Sequence, residues 1–384
     1  MPDVIVIGGG LLGYSTAYHC VLAGARTALV DRRDVGWATG AGAGIISAET
    51  ETRGLPHWFE FAARCSAYYP TLLAQLRADG AADTGYARCG LVLAATGEDE
   101  AAAFAAGRDR ILARQRARGT PAPEDLREIS PDEARRFFPP LRTVLGAVYH
   151  RHAARVDGRL LTRALKDAGE RRGLVVRRGS ATALVIDGDR AAGAVIDGEV
   201  CRAGRVVIAG GAWTSALENQ LHVRIPVEPQ RGQIIHLRMR DANVGEWTIV
   251  NGFRGHYIVP WPDGRVVVGA TRETGSGFDP RLTAAGVREV LSEALRVAPG
   301  LADGEIHEMR VGLRPLAADG LPVLGPVPAV TGVYLATGHG PSGLQLGPFS
   351  GKAVADVALG RDPGVDLGPF RVARFDGTRP DARA

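Results

Sequence analysis

Val4–Ile7 is a short apolar run of the kind that fills a strand buried on both faces, and glycines follow it at once. A helical segment then runs to Gly24, and a second apolar run, Thr27–Val30, ends on the acid Asp31. Farther along, Trp58–Leu76 carries Phe61, Cys65, Tyr68 and Leu72 at three- and four-residue spacing and predicts an amphipathic helix. Cys89–Ala94 and Val144–Tyr149 read as strands, and Asp99–Gly119 reads as a helix ending at the breaker Thr120–Pro123. Ser130-Pro131-Asp132-Glu133 predicts a helix start, with Pro in the first turn and acids beside it. A helix over Arg159–Arg172 is followed by three strands, Leu174–Arg177, Ala183–Ile186 and Ala191–Ile196, the last two flanking the turn Asp187–Arg190. Arg205–Ala209, Gln233–Arg238, Tyr257–Val259, Arg265–Val268 and Val333–Ala336 complete the strands, with a helix over Ala284–Ala298 and another ending near Gly360.

Three of these strands run into glycine and then into a helix. The first junction has Gly8, Gly10 and Gly13 at G-x-G-x-x-G spacing. In such a unit the first glycine allows the tight turn, the second lets backbone approach a pyrophosphate, and the third lets helix and strand pack closely. The N–H groups at the helix start suit phosphates, and an acid at the end of the second strand suits ribose hydroxyls. The order strand, glycines, helix, strand, acid therefore marks a dinucleotide site. Gly210-Gly211-Ala212-Trp213 and the loop opening at Gly338 are the later junctions, and Trp37–Ser47 is a further Gly/Ala segment. Several Gly-rich approaches imply a long ligand, favouring FAD over NAD. The fold expected is α/β (α+β overall): a Rossmann-like FAD-binding domain and a discontinuous second domain on a mostly antiparallel β-sheet with helices.

Composition narrows this picture. The 384 residues are 45% apolar and 23% charged, and no apolar run is long enough to span a bilayer. A cytoplasmic protein is expected. The net charge is only +4, and Lys166 and Lys352 are the two lysines. The cluster Arg108, Arg110, Arg114, Arg116 and Arg118 has no interleaved aromatic and reads as a solvated helix face, so no nucleic-acid partner is expected. Cys20, Cys65, Cys89 and Cys201 lie far apart, without metal-ligand spacing, and His150 and His152 lack the rest of a ligand set. No G-x-S-x-G, H-E-x-x-H or G-x-x-x-x-G-K-[ST] occurs.

Taken together, the opening fingerprint, the GAGAG segment, Ala209–Trp213, the run YIVPWPDGRVVVGAT over Tyr257–Thr271, and GLRPLAADGLPVLG followed by ATGHGPSGLQLGP resemble the FAD-dependent amine oxidoreductases. That family includes glycine oxidase, D-amino-acid oxidase and sarcosine oxidase, and the resemblance is nearest to the glycine oxidase branch. It implies that Gly8, Gly10, Leu12, Gly13, Asp31 and Arg32 hold the ADP half of non-covalent FAD. It also implies that Thr39, Gly40, Ala43, Gly44 and Ile45 follow the pyrophosphate, and that Ala181 meets the adenine. Gly210, Gly211 and Trp213 would form a second FAD-side junction. Gly338, His339, Gly340, Ser342, Gly343 and Leu344 would lie against the flavin's pyrimidine edge. Tyr257 and Arg314 would hold a substrate carboxylate, for which a planar guanidinium is the natural partner.

The implied reaction is hydride transfer from a small amino acid or N-substituted amino acid, with O2 or another acceptor taking the electrons. The implied domains are 1–88, 145–222 and 312–370 for FAD, 89–144 and 223–311 for substrate, and a peripheral tail over 371–384. A homo-oligomer is left open. Two features depart from glycine oxidases. Pro341 and Ser342 stand where an Arg and an Asn are common, and Trp261 stands where an Arg often follows the strand's Pro. Both predict the loss of a second cation and a pocket for a different or larger amine. A flavin monooxygenase, whose G-D-A-x-H loop is absent, and a non-catalytic FAD-binding subunit are the alternatives.

Overall fold

The computed structural model describes residues 1–376 apart from 53, 55 and 241–242. Strand Val4–Ile7 is fully buried at Val4, Ile5 and Val6, and it lies inside a six-stranded sheet. Arg205–Ile208 and Thr27–Asp31 flank it in parallel register, Val333–Thr337 and Val175–Arg178 extend the sheet outward, and Val323–Pro326 closes one edge antiparallel. The strands preceding Gly8, Gly210 and Gly338 are therefore adjacent, and their three glycine junctions open at the same end of the sheet. That is the crevice where doubly wound sheets bind ligands.

Helix Leu11–Leu22 and the C-terminal helix Gly343–Ala358 cross at their small residues. A Cβ at Gly351 would stand 2.6 Å from Ser15 Cβ, and one at Gly347 would stand 2.8 Å from Leu12 Cδ1. Ser15 Oγ donates to the Pro348 carbonyl at 2.8 Å. This close crossing sets the 338–344 loop beside the opening glycines.

The second lobe is a nine-stranded, mostly antiparallel sheet. Its spine is the antiparallel pair Val227–Arg238 and Glu305–Ala317, running from Val227↔Ala317 to Arg238↔Glu305 with a register shift between His236 and Leu237. Helix Ala284–Val297 covers one face through Val290, Ala294 and Val297, which share a core with Ile235, Leu237, Val266 and Val268.

Three expectations on domain limits change. Gly146–His150 pairs with Leu91–Ala95 and Leu126–Ile129, so the strand belongs to the second sheet rather than to an FAD segment starting at 145. Glu305–Ala317 runs unbroken across the expected limit at 311/312. The peripheral tail does not begin at 371, because Val372 and Phe375 are buried against the first lobe beside Val323 and Val333; its remainder, 377–384, lies outside the described residues. A strand absent from the sequence reading, Glu199–Arg202, edges the hairpin Ala181–Asp187 and Arg190–Ile196.

The arginine-rich helix Ala101–Arg118 also differs from expectation. Arg114 and Arg118 stack over Phe59, Arg114 Nη2 holds the Glu49 carbonyl at 2.7 Å, and Arg118 pairs with the Glu49 carboxylate at 3.0 Å. These two arginines of the supposed solvated face pin the segment after the Gly/Ala stretch. No described helix is long and apolar enough to cross a membrane.

Candidate active site

One cavity of about 1180 Å³ runs from the glycine junctions of the first lobe to the second sheet. At its far end Asp31 closes strand Thr27–Asp31, and a Cβ at Gly9 would lie 2.8 Å from its carboxyl carbon. Arg32 lines the same end, paired with Asp34 at 2.8 Å, and Ala181 lines the facing wall. Gly8, Gly10 and Leu12 continue the lining. Helix Leu11–Leu22 starts at Gly10 with no side-chain cap, and Leu11 N donates to Thr39 Oγ1 at 3.1 Å. Gly13 does not reach the cavity: a Cβ there would stand 1.8 Å from the Gly8 carbonyl oxygen, which makes it a packing glycine.

Thr39, Gly40, Ala43, Gly44 and Ile45 form the next part of the wall. Gly44 has φ +84°, and a Cβ would meet the Val156 carbonyl oxygen at 1.8 Å. The 3-10 turn Ala38–Ala41 rests on strand Glu305–Ala317 at Gly312, where a Cβ would come within 2.9 Å of Ala41 Cβ. Arg159 Nε holds the Gly40 carbonyl at 3.0 Å, Arg310 Nη1 lies 3.4 Å from the same oxygen, and both guanidinium groups pair with Glu308. The Arg310 hydrogen bond holds the Glu308 carboxyl down at about 2.

Opposite stand the later junctions. Gly210, Gly211 and Trp213 line the cavity, as do His339, Gly340, Gly343 and Leu344. Thr337 Oγ1 donates to the Gly211 carbonyl at 2.9 Å, tying the two junctions together. Gly338 and Ser342 sit behind this wall, Gly338 at φ +77° in the turn and Ser342 at the start of the last helix. His339 is 4% exposed, and burial drives its imidazole down to about 3, so the ring is neutral at pH 7. Its Nε2 lies 2.9 Å from Ser350 Oγ.

At the end of the cavity that meets the second sheet, Arg314 and Tyr257 come together. Strand pairing sets Arg314 across from Gln230, and its Nη1 donates to the Thr271 carbonyl at 2.9 Å. Glycines clear its space: a Cβ at Gly232 would stand 2.3 Å from Arg314 Nη2, and one at Gly269 would stand 2.9 Å from the Tyr257 hydroxyl. Burial pushes the Arg314 guanidinium below its ordinary value and the Tyr257 hydroxyl above its own, while Arg314 and Arg272 pull the tyrosine back. Among the described residues no carboxylate forms an ion pair with Arg314. A desolvated cation bonded only to neutral acceptors is suited to an anion brought by a ligand.

Trp261 is not part of this chamber. It is 6% exposed and packs in the second core, with Arg155 and Arg265 each 5.3 Å from its ring. Arg272, just beyond the Tyr257–Thr271 run, lines the same cavity. Arg159, Glu308 and Arg310 were also missed. Only strand pairing reveals that alternate residues of Glu305–Ala317 face the Gly40 turn.

The residues fit a flavin dinucleotide. The uncapped helix start, the glycine cradles and Asp31 line one cavity, and no cysteine lines it among the described residues. A long dinucleotide cavity that runs from Asp31 to an arginine on a second sheet defines a two-lobed flavin oxidoreductase. The chain belongs to the FAD dependent oxidoreductase family DAO, whose model matches residues 3–357. It is similar to oxidoreductase YurR of Bacillus subtilis strain 168, at 40% identity over 373 residues, 96% of this chain and 98% of that one. Glycine oxidase of Pseudomonas aeruginosa is 31% identical over 374 residues, covering 96% and 98% of the two chains. The crystal structure of iminodiacetate oxidase from Chelativorans sp. BNC1 superposes with a TM-score of 0.89 at 38% identity, over 96% of this chain and 98% of that one.

Proposed function

We propose that this enzyme oxidises the C–N bond of a small amino acid or N-substituted amino acid, giving an imine that hydrolyses to an oxo acid. The observation that carries the reading is the Arg314–Tyr257 pair, enclosed at the end of an FAD cavity with no protein carboxylate on the guanidinium. Bound non-covalently, FAD supplies the hydride acceptor at N5. Arg314 takes the substrate carboxylate in a bidentate grip and Tyr257 donates to the same group. Two fixed points at one end of the molecule orient the Cα–H, so these residues contribute proximity rather than proton transfer. His339, held neutral by burial, adds no second charge to the cavity wall. The names of the relatives, glycine oxidase and iminodiacetate oxidase, support an amine beside a carboxylate as the reacting unit.

Electrons then pass to O2, giving peroxide, or to another acceptor. Four free cysteines suit a reducing cytoplasm. Arg314→Ala is expected to lower kcat/KM for carboxylated amines by roughly 100-fold or more, chiefly through KM. An unchanged KM removes the carboxylate role.

A further inference from the structure

Arg272 is a further cation lining the cavity that holds Arg314. Its backbone follows Thr271, whose carbonyl accepts from Arg314 Nη1, so the Arg314 guanidinium reaches across from its own strand to the stretch that carries Arg272. Arg272 Nη1 donates to the Gly255 carbonyl at 2.6 Å, which draws its side chain toward the turn that precedes Tyr257. Gly255 permits this approach: it has φ +82°, and a Cβ would stand 2.3 Å from Arg272 Nη1. Nearby acids are already engaged. Glu273 holds Arg231 at 2.6 Å and also accepts from Gln233 and Thr271, while Asp279 takes Arg231 at 2.9 Å and Arg281 at 2.7 Å. Among the described residues no carboxylate pairs with Arg272. Arg272 is exposed, whereas Arg314 is enclosed, so the two cations stand at the outer and inner ends of the substrate chamber.

Two cations facing one cavity without counter-ions repel each other, and the arrangement is relieved by a ligand with two negative charges. We propose that Arg272 is a specificity-determining residue and that the substrate is an iminodicarboxylate, a secondary amine carrying one carboxylate on each side of the nitrogen. This rests on the reading of Arg314 and Tyr257 given above. One carboxylate sits on Arg314 and Tyr257, the reacting carbon follows it, and the chain continues through nitrogen to a distal carboxylate on Arg272. A linear molecule of this kind matches an inner and an outer cation. A four-carbon amino diacid, branched at its reacting carbon, directs its second carboxylate away from the nitrogen instead.

The test uses FAD-loaded enzyme and oxydiacetate, an unreactive ether of the same shape, with methoxyacetate as its monocarboxylate counterpart. Calorimetry is expected to give oxydiacetate at least about 10-fold tighter binding than methoxyacetate, a factor in keeping with one charge-assisted bond. Arg272→Met should reduce that preference to near unity, and Arg272→Lys should restore part of it. In turnover, the ratio of kcat/KM for iminodiacetate over sarcosine should fall roughly 10- to 100-fold in Arg272→Met. Equal binding of the two ethers by the unaltered enzyme, an unchanged ratio in Arg272→Met, or a preference for aspartate over iminodiacetate overturns the proposal. Those outcomes are distinct from failure of the underlying reading, in which no carboxylated amine of any kind reduces the flavin.

Discussion

At the residue scale the chamber depends on where side chains are missing as much as on where they stand. Gly232 is opposite Gly312 in the long pair, and the space above it is filled by the Arg314 guanidinium. Gly232→Ala is expected to displace that group and raise KM for carboxylated amines about 10-fold or more, since a displacement near 1 Å in a positioned site is costly. Steady-state kinetics check this, with FAD content measured alongside. Arg314 and Tyr257 stand out in the sequence as candidates because each lies in a run with distinctive neighbours, and the fold sets both on one cavity. Arg272 does not stand out in the sequence, because the role proposed for it rests on the folded wall, where among the described residues no carboxylate pairs with it. Trp261 misled for the opposite reason: its position along the strand matched, but its ring turns into the core between two arginines.

Helices and strands bring these residues together through close crossings. The last helix must lie flat on Leu11–Leu22 for the 338–344 loop to reach the cavity, and Gly347 and Gly351 make that possible. Gly351→Leu is expected to cost about 1–3 kcal/mol by overpacking against Ser15 and Thr16. Urea unfolding measures the loss, and a midpoint within error of the unaltered protein would contradict the crossing. Element positions were read well where apolar spacing or a cap is strong. Ser130, for example, caps helix Pro131–Phe137 by accepting from Glu133 N at 3.2 Å. They were read poorly where burial is weak: Glu199–Arg202 has three exposed residues and left no apolar pattern. The arginine helix was misjudged because its aromatic partner, Phe59, lies on a different helix.

Across the whole molecule, buried histidines tie stability to pH. His19 and His150 are lowered to about 4, and His236 and His339 to about 3, all chiefly by burial. A histidine whose folded value is depressed binds its proton more readily when unfolded, so stability is full above about pH 6.5 and falls as pH drops toward the folded value. Each contributes up to about 1.4 kcal/mol per pH unit in that window. The Tm of the FAD-loaded enzyme should therefore fall steadily from pH 7 to pH 5; a flat Tm would contradict the neutral burial of these rings. The interleaving of the two lobes along the chain was legible, because three glycine junctions had to return to one sheet. The limits were not, since Gly146–His150 and Glu305–Ala317 join the second sheet through pairings that reach from Ile129↔Ala147 to Val227↔Ala317, far apart in sequence.

The proposed reaction takes place at the Arg314 end of the cavity. Anaerobic mixing of the FAD-loaded enzyme with carboxylated amines, followed by flavin absorbance, tests it most directly. Sarcosine and iminodiacetate are expected to bleach the flavin, while dimethylamine, which lacks a carboxylate, leaves it oxidised over the same interval. Bleaching by dimethylamine at a comparable rate, or reduction by NADPH with none by any carboxylated amine, would contradict the assignment.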